Sequence, residues 1–253
     1  MSTSILFPHF DILRAGRAIG VLLSDPDDLP SVFTVIDALD GTAPHRLYLR
    51  MRSTPTGARL LRERPDIVPR LADRAALAAL PGGSLGRAYL AFVEREGISA
   101  EGIRDASVQG AGVFTGPAGL EFVRRRARDT HDLWHAVTGY HGDVAGELGL
   151  LAFTLAQHWN TGVAVILGAA IGRGYGRDEL GVIRDGWRRG RAASWLYAQD
   201  WEALLPLPLD EVRARLKLGA PPVYKTVRTD DLRAAGLIDR GGRASQQEAK
   251  RAA

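Results

Sequence analysis

Two histidines, His131 and His135, stand four residues apart, with Asp132 beside the first and Glu147 twelve residues beyond the second. On a helix that spacing sets both imidazoles on one face, a turn apart, where two ring nitrogens can reach one divalent ion. The chain has no cysteine, so a bound metal must be held by nitrogen and oxygen. The pattern His-Asp-x-x-His lacks the glutamate that a zincin protease places after its first histidine. A phosphohydrolase of the HD type shares the His-Asp pair but needs further His and Asp ligands on separate helices. The remaining histidines are His9, His45, His141 and His158. Eleven residues after Glu147, His158 returns to nearly the same helix face and reads as a packed core histidine rather than a further ligand.

These residues need helices to position them. Apolar residues recur at spacings of three and four along most of the chain and strand-like alternation is rare, which predicts an all-α, multi-helix fold. Helices are expected at 9–23, 29–38, 67–80, 83–96, 119–138, 144–159, 163–172, 178–201 and 209–217, with an irregular loop at 107–115. A single domain is expected over 1–238, followed by a disordered polar tail over 239–253. Gly139 suits a helix stop, and Asp143 suits the N-cap of a following helix with Glu147 in its first turn. The resulting αα-hairpin folds Glu147 back toward His135. If 119–138 is one helix, Arg124, Arg128 and Asp132 share an arc of about 100° with the histidines. Arg124 and Arg128 are then candidate catalytic residues for holding a substrate carboxylate. The alternative for Arg128 is an i,i+4 pair with Asp132.

Composition bounds the class of protein. The 253 residues are 45% hydrophobic and 25% charged, enough to bury a core and too apolar for a disordered chain. Of 33 basic residues all but Lys217, Lys225 and Lys250 are arginine. That bias reads first as genomic and second as affinity for carboxylates, phosphates or an anionic surface. No RRM, KH or zinc-finger pattern is present, so nucleic acid is not expected as a partner. The N-terminal residues show no signal-peptide pattern, and the longest apolar run, near 162–172, is about half of what a spanning helix needs. A cytoplasmic protein is expected, with peripheral contact on the cytoplasmic face of a membrane. Arg184, Arg188, Arg189 and Arg191, beside Trp187 and Trp195, are candidates for that contact. Within the apolar run, Gly168-x-x-x-Gly172 would permit close helix approach.

The arrangement His131-Asp132-x-x-His135-x3-Gly139-x6-Gly146-Glu147 resembles the signature of the Coq4 family of ubiquinone-biosynthesis proteins, with every spacing kept. Upstream, Leu80-Pro81-x-x-Ser84-Leu85-Gly86-x-x-Tyr89-Leu90-x-Phe92 and Arg126-x-Arg128 continue the likeness. Downstream, Gln157, Thr161-Gly162, Trp187-x-x-Gly190-x-x-Ala193 and Trp201-Glu202 do the same. It covers roughly residues 5–220. Leu151 and Phe153-Thr154 depart from the lysine and the aromatic-Glu pair the family often carries. The chain is read as a bacterial member.

The resemblance implies a divalent metal held by His131, Asp132, His135 and Glu147, with zinc first and iron, manganese or magnesium as alternatives. It implies an apolar cavity facing that hairpin and a polyprenylated aromatic quinone precursor as substrate. The reaction implied is loss of the C1 carboxylate of a 4-hydroxybenzoate derivative, oxidative or not. Other ubiquinone-biosynthesis proteins and a second copy of the chain are the implied protein partners. The alternative function is a non-catalytic scaffold that binds the polyprenyl precursor and organises those enzymes. The apolar segment 163–172 would line the groove for the prenyl tail.

Overall fold

Side-chain caps punctuate the chain at short intervals and fix where most helices start. Asp11, Asp28, Thr54, Asp73, Ser84, Ser99, Asp143, Asn160 and Asp200 each accept a backbone N–H from the first turn of the helix that follows. The computed structural model describes residues 10–174 and 180–238. The expected tail at 239–253, and the first residues of the helices expected at 9–23 and 178–201, lie outside the described residues.

The elements in order are α1 (Ile12–Ser24), α2 (Leu29–Leu39), α3 (Ala43–Arg52), α4 (Pro55–Glu63), α5 (Val68–Ala72), α6 (Arg74–Ala79), α7 (Leu85–Glu96) and α8 (Ala100–Ala111). They continue with α9 (Ala118–Asp129), α10 (His131–Thr138), α11 (Val144–Gln157), α12 (Thr161–Arg173), α13 (Leu180–Ala192), α14 (Trp201–Leu204), α15 (Leu209–Arg215) and α16 (Thr229–Ala234). A short 3-10 turn, Leu196–Ala198, lies between α13 and α14. The fold is all-α, and no strand occurs among the described residues beyond one isolated bridge between Ser84 and Pro208.

Several expected boundaries move. The span 107–115 is helical as far as Ala111, because α8 starts at the Ser99 cap and packs on α2 so closely that a Cβ on Gly110 would lie 1.9 Å from the Pro30 carbonyl. Residues 53–57, which lie outside the expected helices, start α4: Thr54 caps it and Pro55 supplies the fixed φ of a first helical residue. The expected helix at 67–80 divides at Asp73, which caps α6. The helix expected to end at 201 stops at Ala192. Most consequential for the site, 119–138 is two helices. Thr130 breaks it, its hydroxyl bonding back to the Arg126 carbonyl at 2.8 Å, a local bond that competes with the helix ladder.

The hairpin of α10 and α11 sits in the principal core. Leu133, Trp134 and Val137 of α10 pack with Leu85, Tyr89 and Phe92 of α7 and with Leu150 and Phe153 of α11. Ten of the fourteen residues of α11 are buried, the pattern of a helix enclosed on nearly every side. Close approach of α13 to α11 depends on glycine. A Cβ on Gly186 would lie 2.2 Å from the Gly149 carbonyl, and one on Gly190 2.3 Å from the Phe153 carbonyl. The expected close contact at Gly168 and Gly172 does not occur, since added Cβ atoms there would meet nothing within 4 Å; that face of α12 borders a groove.

Candidate metal centre

The first turn of α10 carries His131, and His135 follows one turn later. Glu147 enters from the first turn of α11, its backbone N–H bonded to the carbonyl of the N-cap Asp143 at 2.8 Å. The loop between the helices is short because Gly139 takes a left-handed conformation (φ 85°), which lets the chain reverse directly after α10. His135 Nε2 comes within 3.0 Å of Glu147 Oε1, and His131 Nε2 within 3.8 Å of Oε2. One ligand atom from each of His131, His135 and Glu147 lies within 4.8 Å of the others.

Both rings are oriented through their other nitrogen. His135 Nδ1 lies 3.1 Å from the Tyr140 carbonyl, which can only accept, so Nδ1 carries the proton and donates. His131 Nδ1 lies 3.2 Å from Asp132 Oδ1. Each Nε2 is thereby turned toward Glu147, the arrangement by which outer acceptors fix the tautomer of a ligating imidazole. Phe92 stacks on the His135 ring, 5.1 Å between centroids and 12° from parallel.

Electrostatics make the pair conspicuous. His135 is buried, and its Nε2 has no hydrogen bond of acceptable geometry although Glu147 Oε1 is near. A neutral imidazole lone pair would face a carboxylate oxygen, acceptor against acceptor, unless a proton or a metal cation lies between them. Burial, the largest single influence, lowers the His135 pKa, but the nearby Glu147 carboxylate, the Asp132 charge and the Tyr140 carbonyl together outweigh it and raise it above the usual value. Burial likewise works to raise Glu147, and His135, then His131, overcome it and hold the carboxyl at about 2. A dication satisfies the same three groups. Ligands about 2.1 Å from a tetrahedral ion stand about 3.4 Å apart, between the two separations observed, so the residues fit a metal. The Glu147 side chain is 40% exposed and that of His131 27%, leaving one side open to water or substrate.

Other expected site residues are placed differently. Asp132 is turned to His131 Nδ1 and is outside the converging group. Arg124 pairs with Asp37 at 3.0 Å and with Asp40, and lies over the Phe114 ring. Arg128 pairs with its neighbour Asp129 at 2.7 Å, not with Asp132. The break at Thr130 ends the single helical phase that put these arginines beside the histidines, and carboxylates of α2 and α9 hold them. His158 lies edge-on to Tyr197 with its pKa lowered to about 4, chiefly by burial and then by Arg46, and is not in the converging group. No further His or Asp joins that group among the described residues, which removes the extended ligand set an HD-type hydrolase requires. The carbonyl of Tyr140 left no trace in the sequence, because any residue supplies a carbonyl.

Arg189, expected at a surface, is buried and donates to the carbonyls of Thr138, Leu218 and Ala220, capping the end of α10. Trp195 lies under the Arg50 guanidinium. Arg184, Trp187, Arg188 and Arg191 remain exposed.

An all-α protein with a histidine-histidine-carboxylate centre in an αα-hairpin is the class these observations define. The family model for the coenzyme Q (ubiquinone) biosynthesis protein Coq4 matches residues 12–222, and the chain belongs to the Coq4 family. A mitochondrial ubiquinone biosynthesis protein coq4 of Talaromyces stipitatus is 35% identical, with 86% of this chain and 75% of the relative aligned. A COQ4 protein of Arthroderma otae, also named mitochondrial, is 32% identical over 85% of this chain and 80% of its own. A crystal structure of a protein assigned to ubiquinone biosynthesis from Nostoc punctiforme superposes with a TM-score of 0.61 at 24% identity, covering 83% of this chain and 100% of that one. These names overturn the cytoplasmic location expected from the sequence. Composition and the shortness of the apolar run near 162–172 describe the surfaces of a chain, not the compartment where they work. No helix among the described residues is long and apolar enough to cross a membrane.

Proposed function

We propose that the chain removes the C1 carboxylate of a polyprenylated 4-hydroxybenzoate derivative at a divalent metal held by His131, His135 and Glu147. The observation that carries this reading is the convergence of the oriented Nε2 atoms of His131 and His135 with the Glu147 carboxylate, the His135 Nε2 being buried and without a hydrogen bond. When bound, a zinc, iron, manganese or magnesium ion supplies Lewis acidity toward a carboxylate or water, and iron or manganese supplies redox chemistry with O2. His135, locked between Phe92 and the Tyr140 carbonyl, gives the centre its rigid side. His131 and Glu147 form its open side, and Asp132 holds the His131 ring. With Arg124 and Arg128 engaged by aspartates, the substrate carboxylate is assigned to the centre itself and not to those side chains.

A groove of about 750 Å³ between α11, α12 and α13, lined by Leu155, Leu167, Gly168, Ile171, Leu180 and Trp187 among others, is the proposed seat of the prenyl tail. It is also the observation that favours the scaffold reading, in which the chain binds the precursor for other ubiquinone-biosynthesis enzymes without turning it over. The test is metal analysis of the purified protein followed by CO2 release from a short-chain prenyl 4-hydroxybenzoate, with and without O2. Metal-dependent CO2 release that His135→Ala abolishes is expected. Release in neither condition, with His135→Ala still complementing a deletion strain, would establish the scaffold reading instead.

A further inference from the structure

We propose that Tyr224, on the non-helical segment 221–228, is a positioning residue of the metal centre: its hydroxyl fixes the hairpin loop whose two ends set His135 and Glu147. The inference rests on the metal reading above.

Residues 139–143 join α10 to α11 and are tied to the centre at both ends. The Tyr140 carbonyl accepts from His135 Nδ1 at 3.1 Å, and the Asp143 carbonyl accepts from the Glu147 N–H at 2.8 Å. The loop's curvature therefore sets how far His135 stands from Glu147. Tyr224 spans that curve. Its hydroxyl accepts from the His141 N–H at 2.8 Å and donates to Asp143 Oδ2 at 3.2 Å. The other oxygen of Asp143 accepts from the N–H groups of Ala145, Gly146 and Val227 at 3.1, 3.3 and 2.9 Å. Val144 N–H bonds to the Val227 carbonyl at 2.8 Å.

The segment that carries Tyr224 packs closely on both ends of the hairpin loop. A Cβ on Gly146 would lie 2.5 Å from the Tyr224 hydroxyl, and one on Gly139 2.7 Å from Pro221 Cβ. A phenylalanine at 224 would keep the ring against Tyr140 and His141 (centroids at 6.1 and 5.9 Å) and would lose both hydrogen bonds. The family model's match ends at residue 222, so the assignment of Tyr224 comes from these contacts.

Cobalt(II) is a suitable probe in the full chain, because its d–d absorption reports ligand geometry as well as occupancy. In Tyr224→Phe the cobalt Kd is expected to rise about tenfold, the low end for a residue that orients ligands, with an altered d–d spectrum at temperatures well below unfolding. Val223→Ala, on the same segment but exposed, is expected to leave both unchanged. A merely structural tie predicts a lowered Tm with wild-type Kd and spectrum, and that result would overturn the proposal. Asp143→Asn replaces the carboxylate that accepts from the Tyr224 hydroxyl with a neutral amide, weakening that bond, and serves if Tyr224→Phe does not fold. His135→Ala separates the two levels. If it loses cobalt while Tyr224→Phe binds as wild type, the positioning role alone falls. If His135→Ala also binds as wild type, the metal reading falls and takes this proposal with it.

Discussion

At the residue scale, His135 and Glu147 make the metal-free protein sensitive to pH in a defined direction. The pKa of His135 is raised above its ordinary 6.5, so its stabilising contribution is complete below pH 6.5 and is lost as pH rises through the folded value. Glu147 is lowered from 4.5 to about 2, so its contribution is present above pH 4.5 and is lost as pH falls toward 2. The pair therefore stabilises the metal-free chain most between pH 4.5 and 6.5. Metal affinity should instead climb as pH rises through the His135 value, because the ion competes with the proton for Nε2. Urea denaturation of metal-free protein at pH 3, 5.5 and 8.5 checks the first claim. Glu147→Gln should flatten the profile, and an unchanged profile would count against the coupling. Sequence spacing was sufficient to nominate these side chains, but the Tyr140 carbonyl and Phe92 stacking that make His135 a directed ligand required coordinates.

At the element scale, the hairpin is held because α11 is buried on nearly every side and α13 crosses it through glycines. Gly186→Ala and Gly190→Ala should each destabilise the protein by about 1–3 kcal/mol, since each added Cβ meets the backbone of α11. Gly168→Ala, on a helix face open to the groove, should be neutral or stabilising by up to about 1 kcal/mol. Thermal melts of the three variants decide the matter, and equal effects would contradict the packing described. The sequence reading singled out Gly168-x-x-x-Gly172 alone, although Gly186-x-x-x-Gly190 has the same pattern. Which pair faces another helix depends on long-range docking. The break at Thr130 was equally hidden: a threonine in a helical pattern continues or bends the helix according to where its hydroxyl bonds.

At the scale of the whole molecule, the centre and the groove use different parts of one helix. Glu147 lies in the first turn of α11, whereas Ala152 and Leu155 help to line the groove farther along it. Gly168→Leu would place a side chain in the groove and is expected to weaken binding of a fluorescent farnesyl probe about tenfold, about 1.4 kcal/mol, with cobalt affinity unchanged. Wild-type probe binding would remove the groove from the functional reading. What the sequence by itself determined was local: the period of three and four that makes the fold helical, the Gly139 stop and Asp143 cap that frame the hairpin, the absence of thiolates, and the i,i+4 histidines with Glu147 a hairpin away. The tertiary structure decided which of those residues converge. It turned Asp132 toward His131 and gave Arg124 and Arg128 to aspartates on α2 and α9. It also placed Tyr224 on the hairpin loop from 77 to 93 residues away from the ligands. Helix phase is encoded by neighbours within a few residues, whereas the partner of a charge is set by which surfaces meet on folding, and that is where the centre acquires its shape.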